Sequence, residues 1–372
     1  MSRNILVVLI SSFLVTGCLH LEFDPQEWAL DPELNFSKDL ILLNSINGVD
    51  SVEVFTNYQN FEVSSSDEWC SVSVNENKSS IKVIVQPNFS SNQRSALITV
   101  SISRGNKFLS KKISVVQMGG VWETIGDFNV YWSYPVSDTQ KESIIELLSD
   151  MVYIVGGDFI MGNTDSDLIN NTSPHDVTLS SFYIGKFEVT QQQWRAVMGT
   201  NPSISKGDRN PVYNISWSEA LEFVSRLSQL TFLNVSLPTD AQWEYAALGG
   251  KMSKGYRYAG SNDYTEVSVV GEDIQQPLAT GIKKSNELGI YDMSGNVAEY
   301  CSDWFELDFV DPDTTDPTGP DNGYYKSVRG GHFKDATSQY YLETVNRLRH
   351  SSNINKITPY TGFRIVVTTG EK

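Results

Sequence analysis

The stretch Leu237-Pro238-Thr239-Asp240-Ala241-Gln242-Trp243-Glu244-Tyr245-Ala246 decides how the larger, C-terminal part of this chain is read. Thr239 followed by Gln242 is a capping box: the hydroxyl accepts from an early helical N–H while the amide reaches back to the N–H of the cap residue. The same device stands at Thr190-Gln191-Gln192-Gln193 and at Ser216-Trp217-Ser218-Glu219, where Val189 and Ile215 precede the cap and suit a hydrophobic staple. Helices are expected from each of these starts. Beyond residue 250 the sequence is dense in Gly, Asn and Asp. It predicts a loop-rich body that needs fixings other than regular elements, and bound cations are one such fixing. Met151 to Gly162 carries two alternating runs around Gly156-Gly157, a hairpin signature. It is no phosphate loop, because no Lys-Ser/Thr pair follows. An α+β domain is expected over 151–372.

N-terminal to it, Val52–Phe55, Ile81–Val85, Ala96–Ile102 and Ile113–Val116 alternate with period two and are rich in β-branched residues. Turn signals at Asn47-Gly48, Pro87-Asn88 and Arg104-Gly105-Asn106 separate them. Short antiparallel strands at this spacing predict a β-sandwich over 33–118. Residues 119–150 read as a connector. Asp127 to Pro135 is aromatic and irregular, and Ser137-Asp138 can cap a helix running to about Ser149.

Residues 1–18 form a targeting device. Arg3 gives a positive start, and Ile5 to Val15 is almost wholly apolar, shorter than the roughly 20 residues a spanning helix needs. The run ends in Leu14-Val15-Thr16-Gly17-Cys18. This resembles a bacterial lipobox, in which the cysteine is lipidated and becomes the mature N-terminus; an ordinary signal peptide with a chance cysteine is the alternative. The expectation is a protein of the cell envelope, tethered through Cys18 to the outer membrane on its periplasmic or surface side.

With 45 acidic against 28 basic residues the formal charge is −17. That argues against a nucleic-acid partner, since phosphate binding needs clustered Lys and Arg. Three cysteines (Cys18, Cys70 and Cys301) make no disulfide framework. The four histidines show no metal-ligand spacing.

Phe187-Glu188-Val189-Thr190 with Trp194, Asn210-Pro211-Val212 leading to Trp217, the 237–246 stretch, Asn286 to Val297, Arg329-Gly330-Gly331 and Gly362-Phe363-Arg364 stand in one order. Together they resemble the formylglycine-generating enzymes, or sulfatase-modifying factors, across 151–372. The resemblance implies a variant of the C-type lectin fold. It also implies an oxidation of a sulfatase cysteine that uses copper on two cysteines shortly after the Gly-Gly pair. Copper(I) is soft and prefers thiolates, yet Gly330 to Tyr341 contains no cysteine. Asp335 and Tyr340 stand at about the cysteine positions, so no copper is expected.

The resemblance further implies a calcium ion held by the Asp292 and Glu299 side chains and the Gly295 and Val297 carbonyls. Ala298 and Tyr300 depart from the usual Trp on either side of Glu299. Arg329 and Arg364 match family motifs and read as structural. Arg347, Arg349 and His332 are candidates for a former cleft, with buried Arg–carboxylate pairs as the alternative. Asp67-Glu68-Trp69, Asn88, Asn92-Gln93-Arg94 and Val115-Val116-Gln117 resemble the BACON family of Bacteroides-type surface proteins. That family implies an immunoglobulin-like sandwich acting as a spacer or a glycan binder, with Trp69 a sugar platform or an ordinary strand residue. The functional expectation is a non-catalytic binding or assembly module for an unknown protein or glycan. The alternatives are an active oxidase or related enzyme using other residues, and glycan capture by the BACON-like domain.

Overall fold

A computed structural model describes residues 31–43, 48–58, 60–104, 106–133, 136–162, 173–306, 314–349 and 353–368. Cys18 lies outside them. The chain divides into two compact units.

The N-terminal unit is built on strands β1 (Leu34–Phe36), β2 (Leu40–Leu43), β3 (Gly48–Thr56), β4 (Glu62–Ser65), β5 (Cys70–Val74), β6 (Ser80–Val85), β7 (Arg94–Arg104) and β8 (Lys107–Gln117). They form two four-stranded sheets, ordered β1-β3-β6-β5 and β2-β8-β7-β4. Period-two patterning sets which face is inside: Ile81, Val83 and Val85 of β6 and Ala96, Ile98, Val100 and Ile102 of β7 are all buried. Each fully buried Val or Ile contributes roughly 1.5–3 kcal/mol, and a register slip of one residue would expose the whole set. Cys70 is buried among them.

The second unit begins earlier than the sequence suggests. The aromatic stretch read as irregular is a strand, β10 (Phe128–Ser133), paired antiparallel with β9 (Gly120–Ile125). Phe128, Val130 and Trp132 join Ile144, Leu147 and Leu148 of α1 (Asp138–Ser149) in the same hydrophobic cluster as Trp194, Phe223 and Phe363. Residues 119–150 are thus part of this unit's core rather than a separate connector. Helix α1 starts with a capping box between Ser137 and Gln140.

The expected hairpin around Gly156-Gly157 does not form. β11 (Met151–Ile154) pairs with β14 (Phe182–Gly185), whereas β12 (Gly157–Met161) pairs with β13 (His175–Leu179). The chain crosses from one sheet to another at Gly156, where a Cβ would lie 2.2 Å from the Leu179 carbonyl oxygen. The glycines serve close approach here, not a hairpin turn.

The three capping boxes open α2 (Gln191–Met198), α3 (Trp217–Thr231) and, after β15 (Val235–Ser236), α4 (Asp240–Ala247). Between α4 and residue 297 the described elements are one 3-10 turn and the four-residue α5 (Tyr264–Val267). β16 (Ala298–Phe305), β17 (Tyr325–Arg329), β18 (Arg347–Arg349) and β19 (Thr361–Gly362) form one sheet ordered β18-β17-β16-β19. β20 (Val366–Val367) returns between β14 and β15. Trp194 stacks on Phe223 at 5.5 Å, and Phe363 meets Phe223 edge-on at 5.2 Å. No described helix is long and apolar enough to cross a membrane.

Candidate functional site

Helix α4 and the turn before β16 bring charged side chains into the interior. Trp243, fully buried, donates from Nε1 to Glu299 Oε2 at 2.8 Å. The Arg364 guanidinium grips both Glu299 oxygens at 2.6 Å and donates onward to the Gly185 and Tyr291 carbonyls. Glu188 sits in the same interior: one oxygen accepts from Val297 N at 2.9 Å and the other from Asn296 Nδ2 at 2.7 Å. Asp292, at φ 59°, accepts from Gly281 N at 2.7 Å on Oδ2, while its buried Oδ1 has no hydrogen-bond partner.

Three carboxylates (Glu188, Asp292 and Glu299) therefore share the interior with one guanidinium. Burial, then Asp292 and Glu299, push the Glu188 carboxyl well above the usual range. Burial lifts Asp292 to about 6 against the pull of Gly281 and Arg364. A buried carboxylate must be paired, coordinated or protonated; Arg364 pairs with Glu299, so Glu188 and Asp292 are left to protonation or to a cation.

The residues fit a hard cation in the partnerless Asp292 Oδ1, but not as the motif implies throughout. Glu299 is first of all the counter-ion of Arg364. No group of three or more His, Cys, Asp or Glu side chains converges as a metal site among the described residues. A cation would be held by Asp292 together with backbone oxygens of the turn, the Gly295 and Val297 carbonyls, supplying charge neutralisation and no redox chemistry.

A second buried network lies beside it. Arg329 donates from Nε to Asp240 Oδ1 at 2.5 Å and from Nη2 to Glu244 Oε2 at 2.8 Å. Ser327 Oγ adds a bond to Asp240, and Gly162 N one to Glu244. Burial raises the Glu244 carboxyl while Arg329 opposes it. Arg329 and Arg364 are thus clamps for the fold. The backbones of Arg347 and Arg349 pair with β17 opposite Arg329 and Ser327; their side chains lie outside the described set.

The loop after Gly330-Gly331 carries the remaining candidates. Both glycines have positive φ, and a Cβ on Gly331 would come within 2.8 Å of the Tyr341 carbonyl oxygen. Main-chain bonds fasten the loop: Gly295 N to Gly330 O, Phe333 N to Asn296 O and Gly271 N to Phe333 O. His332 and Asp335 come together, with His332 N donating to Asp335 Oδ2 at 2.8 Å. Tyr340 and Tyr341 lie against each other at 4.1 Å between ring centres. The Tyr341 phenol is pushed up to about 12, first by its bond to Tyr340 and then by burial.

Cys301 is fully buried in β16, its thiol pushed well above the ordinary value, chiefly by burial. His175 stands apart, bonded to the Ser173 carbonyl at 2.9 Å. Glu188 is the site residue that sequence reasoning passed over; its signal was an acidic residue inside the otherwise apolar Phe187-Glu188-Val189 step. Tyr300, one of the two positions that depart from the usual Trp, buries its ring and donates to the Ile215 carbonyl at 3.0 Å.

The sulfatase-modifying factor enzyme 1-like domain model matches residues 136–369 and the BACON model residues 59–118. The chain is 32% identical over 272 residues to the chaperone protein LppX of Paenibacillus barcinonensis, covering 58% of this chain and 89% of that protein. It is 27% identical over 269 residues to the formylglycine-generating enzyme of Thermomonospora curvata, covering 53% and 86% respectively. Among solved structures, Treponema denticola variable protein 1 aligns with a TM-score of 0.52 at 25% identity, over 67% of this chain and 98% of that one. With the family model spanning most of the second unit and a BACON domain before it, this chain belongs to the sulfatase-modifying factor enzyme 1-like family.

Proposed function

We propose that the protein is a non-catalytic binding or assembly module of the cell envelope, tethered through a lipid on Cys18. One observation carries the reading: the loop after Arg329-Gly330-Gly331 offers Asp335 and Tyr340, both hard oxygen groups, and no thiol. Cys301, the one cysteine of the domain, is sealed in the core. A dithiolate for copper(I) has no residues to form from. The similarity to LppX, a protein named as a chaperone, supports a role in assisting another polypeptide. Calcium in this reading is structural, balancing the carboxylates around Asp292.

The test is conversion of a cysteine-containing sulfatase peptide to the aldehyde, with copper and oxygen, followed by mass spectrometry. No conversion beyond a copper-only control is expected. Turnover above that control, or tight Cu(I) retention against a chelator, removes the reading and leaves the oxidase in its place. Glycan capture by the BACON domain is the second reading. It draws on the half-buried Trp69 in the turn just before β5, and is tested by a glycan array with Trp69→Ala as control.

A further inference from the structure

His332 has hydrogen bonds that depend on its protonation state. Its Nδ1 accepts from Lys334 N at 3.2 Å, which places the proton of the neutral ring on Nε2. Asp335 Oδ2, already bound to His332 N at 2.8 Å, stands 3.5 Å from the same Nδ1. The ring is held edge-on to Tyr360 at 5.0 Å and lies 6.2 Å from Phe333.

We propose that His332 is a proton-operated latch on the 332–341 loop: protonation replaces the Lys334 N–H···Nδ1 bond with Nδ1–H···Asp335 and resets the stretch that presents Tyr340 and Tyr341. It goes beyond the binding reading and does not depend on it. Once Nδ1 carries a proton, it and the Lys334 N–H are two donors facing each other, and one must leave. The Asp335 carboxylate is the acceptor within reach.

Asp335 cannot shift alone. It opens the 3-10 turn Asp335–Thr337, its carbonyl accepts from Ser338 N at 3.0 Å, and Ser338 O accepts from Tyr341 N at 3.0 Å. Asp335 also contributes to the raised Tyr341 phenol. The other groups facing the imidazole do not compete. Tyr360 presents its ring, and the Lys334 ammonium is turned to Gln275. Burial pushes the imidazole below its ordinary value of 6.5 with Asp335 opposing, and raises the Asp335 carboxyl with His332 opposing, so the pair takes up its proton, and the latch works, on the acid side of neutrality.

The experiment is amide and imidazole NMR of the full chain between pH 7.5 and 5. His332 is expected to titrate below pH 6.5, with the Lys334 amide and the Ser338–Tyr341 resonances moving at the same midpoint. Exchange of the Lys334 amide should quicken roughly tenfold, the factor that fits loss of one ordinary hydrogen bond. His332→Asn keeps an acceptor but cannot titrate, and should abolish the transition. Asp335→Asn should lower the His332 midpoint and leave Tyr340 and Tyr341 still. Titration of His332 with the loop amides unmoved, or the same transition in His332→Asn, overturns the proposal; Asp335→Asn decides alone if His332→Asn does not fold.

Discussion

The interior around Asp292 allows a quantitative test of the proposed cation. Asp292 carries its charge with Oδ1 buried and partnerless, and burial lifts its carboxyl from 3.8 to about 6. A raised carboxyl means the folded state holds a proton that the unfolded state has released. The penalty of about 3 kcal/mol is fully present above about pH 6, is relieved as pH falls through the window from about 6 to 3.8, and is absent below it. The metal-free protein should therefore gain stability from this group on mild acidification.

Calcium acts in the opposite range. Above pH 6 it neutralises the ionised group and can recover most of the 3 kcal/mol, comparable to the ~2.7 kcal/mol of a ligand at a hundred times its Kd. For a domain of this size that is a rise in Tm of roughly 6–12 °C. The assay is a melt of the chelator-treated protein with and without calcium, at pH 7.5 and at pH 5. A large rise at pH 7.5, shrinking at pH 5, is expected, and Asp292→Asn should raise the metal-free Tm and abolish the calcium response. Equal melts with calcium and chelator at pH 7.5, or an undiminished response in Asp292→Asn, would refute the reasoning.

Four further outcomes follow from the contacts described. Arg329→Met strands the buried carboxylates of Asp240 and Glu244 and should cost about 3–5 kcal/mol in urea unfolding, partly recovered by adding Glu244→Gln. Ser216→Ala removes the acceptor for Glu219 N and should cost about 1 kcal/mol in the same measurement. Cys18→Ala should abolish lipid labelling and move the protein from the membrane to the soluble envelope fraction. Asp335→Cys with Tyr340→Cys should create Cu(I) binding measurable by chelator competition while leaving a cooperative melt, because the loop is fastened by its backbone.

What the sequence reveals here is what is local. Each capping box couples residues three apart, so Thr190/Gln193, Ser216/Glu219 and Thr239/Gln242 were readable and all formed. The alternation in β6 and β7 was likewise local. β10 escaped because Val130, Tyr131 and Trp132 are consecutive and all buried, which erases the period-two signal. The Gly156-Gly157 pair could not be told from a hairpin turn, since the feature that decides it, the approach of the Leu179 carbonyl, comes from a distant strand. The carboxylate cluster was half legible. Asp292 and Glu299 lie in one motif, whereas Glu188 reaches Asn296 and Val297 across 108 and 109 residues, and Arg364 reaches Glu299 across 65.

The same division separates what holds this frame from what a side chain on the loop can change. The frame is held by buried side chains, with Arg364 on Glu299, Arg329 on Asp240 and Glu244, and Trp243 on Glu299; removal of any one strands a charge or a donor in the core. The 332–341 loop is attached differently, through the amides and carbonyls of Gly330 and Phe333 and the close packing of Gly331. Main-chain attachments survive a change of side chain. A change of side chain at 335 or 340 therefore leaves the core clamps in place, at the cost of the Asp335 bond to His332 N. The surrounding motifs in this chain therefore report the frame, and the side chains at 335 and 340 have to be read separately from it.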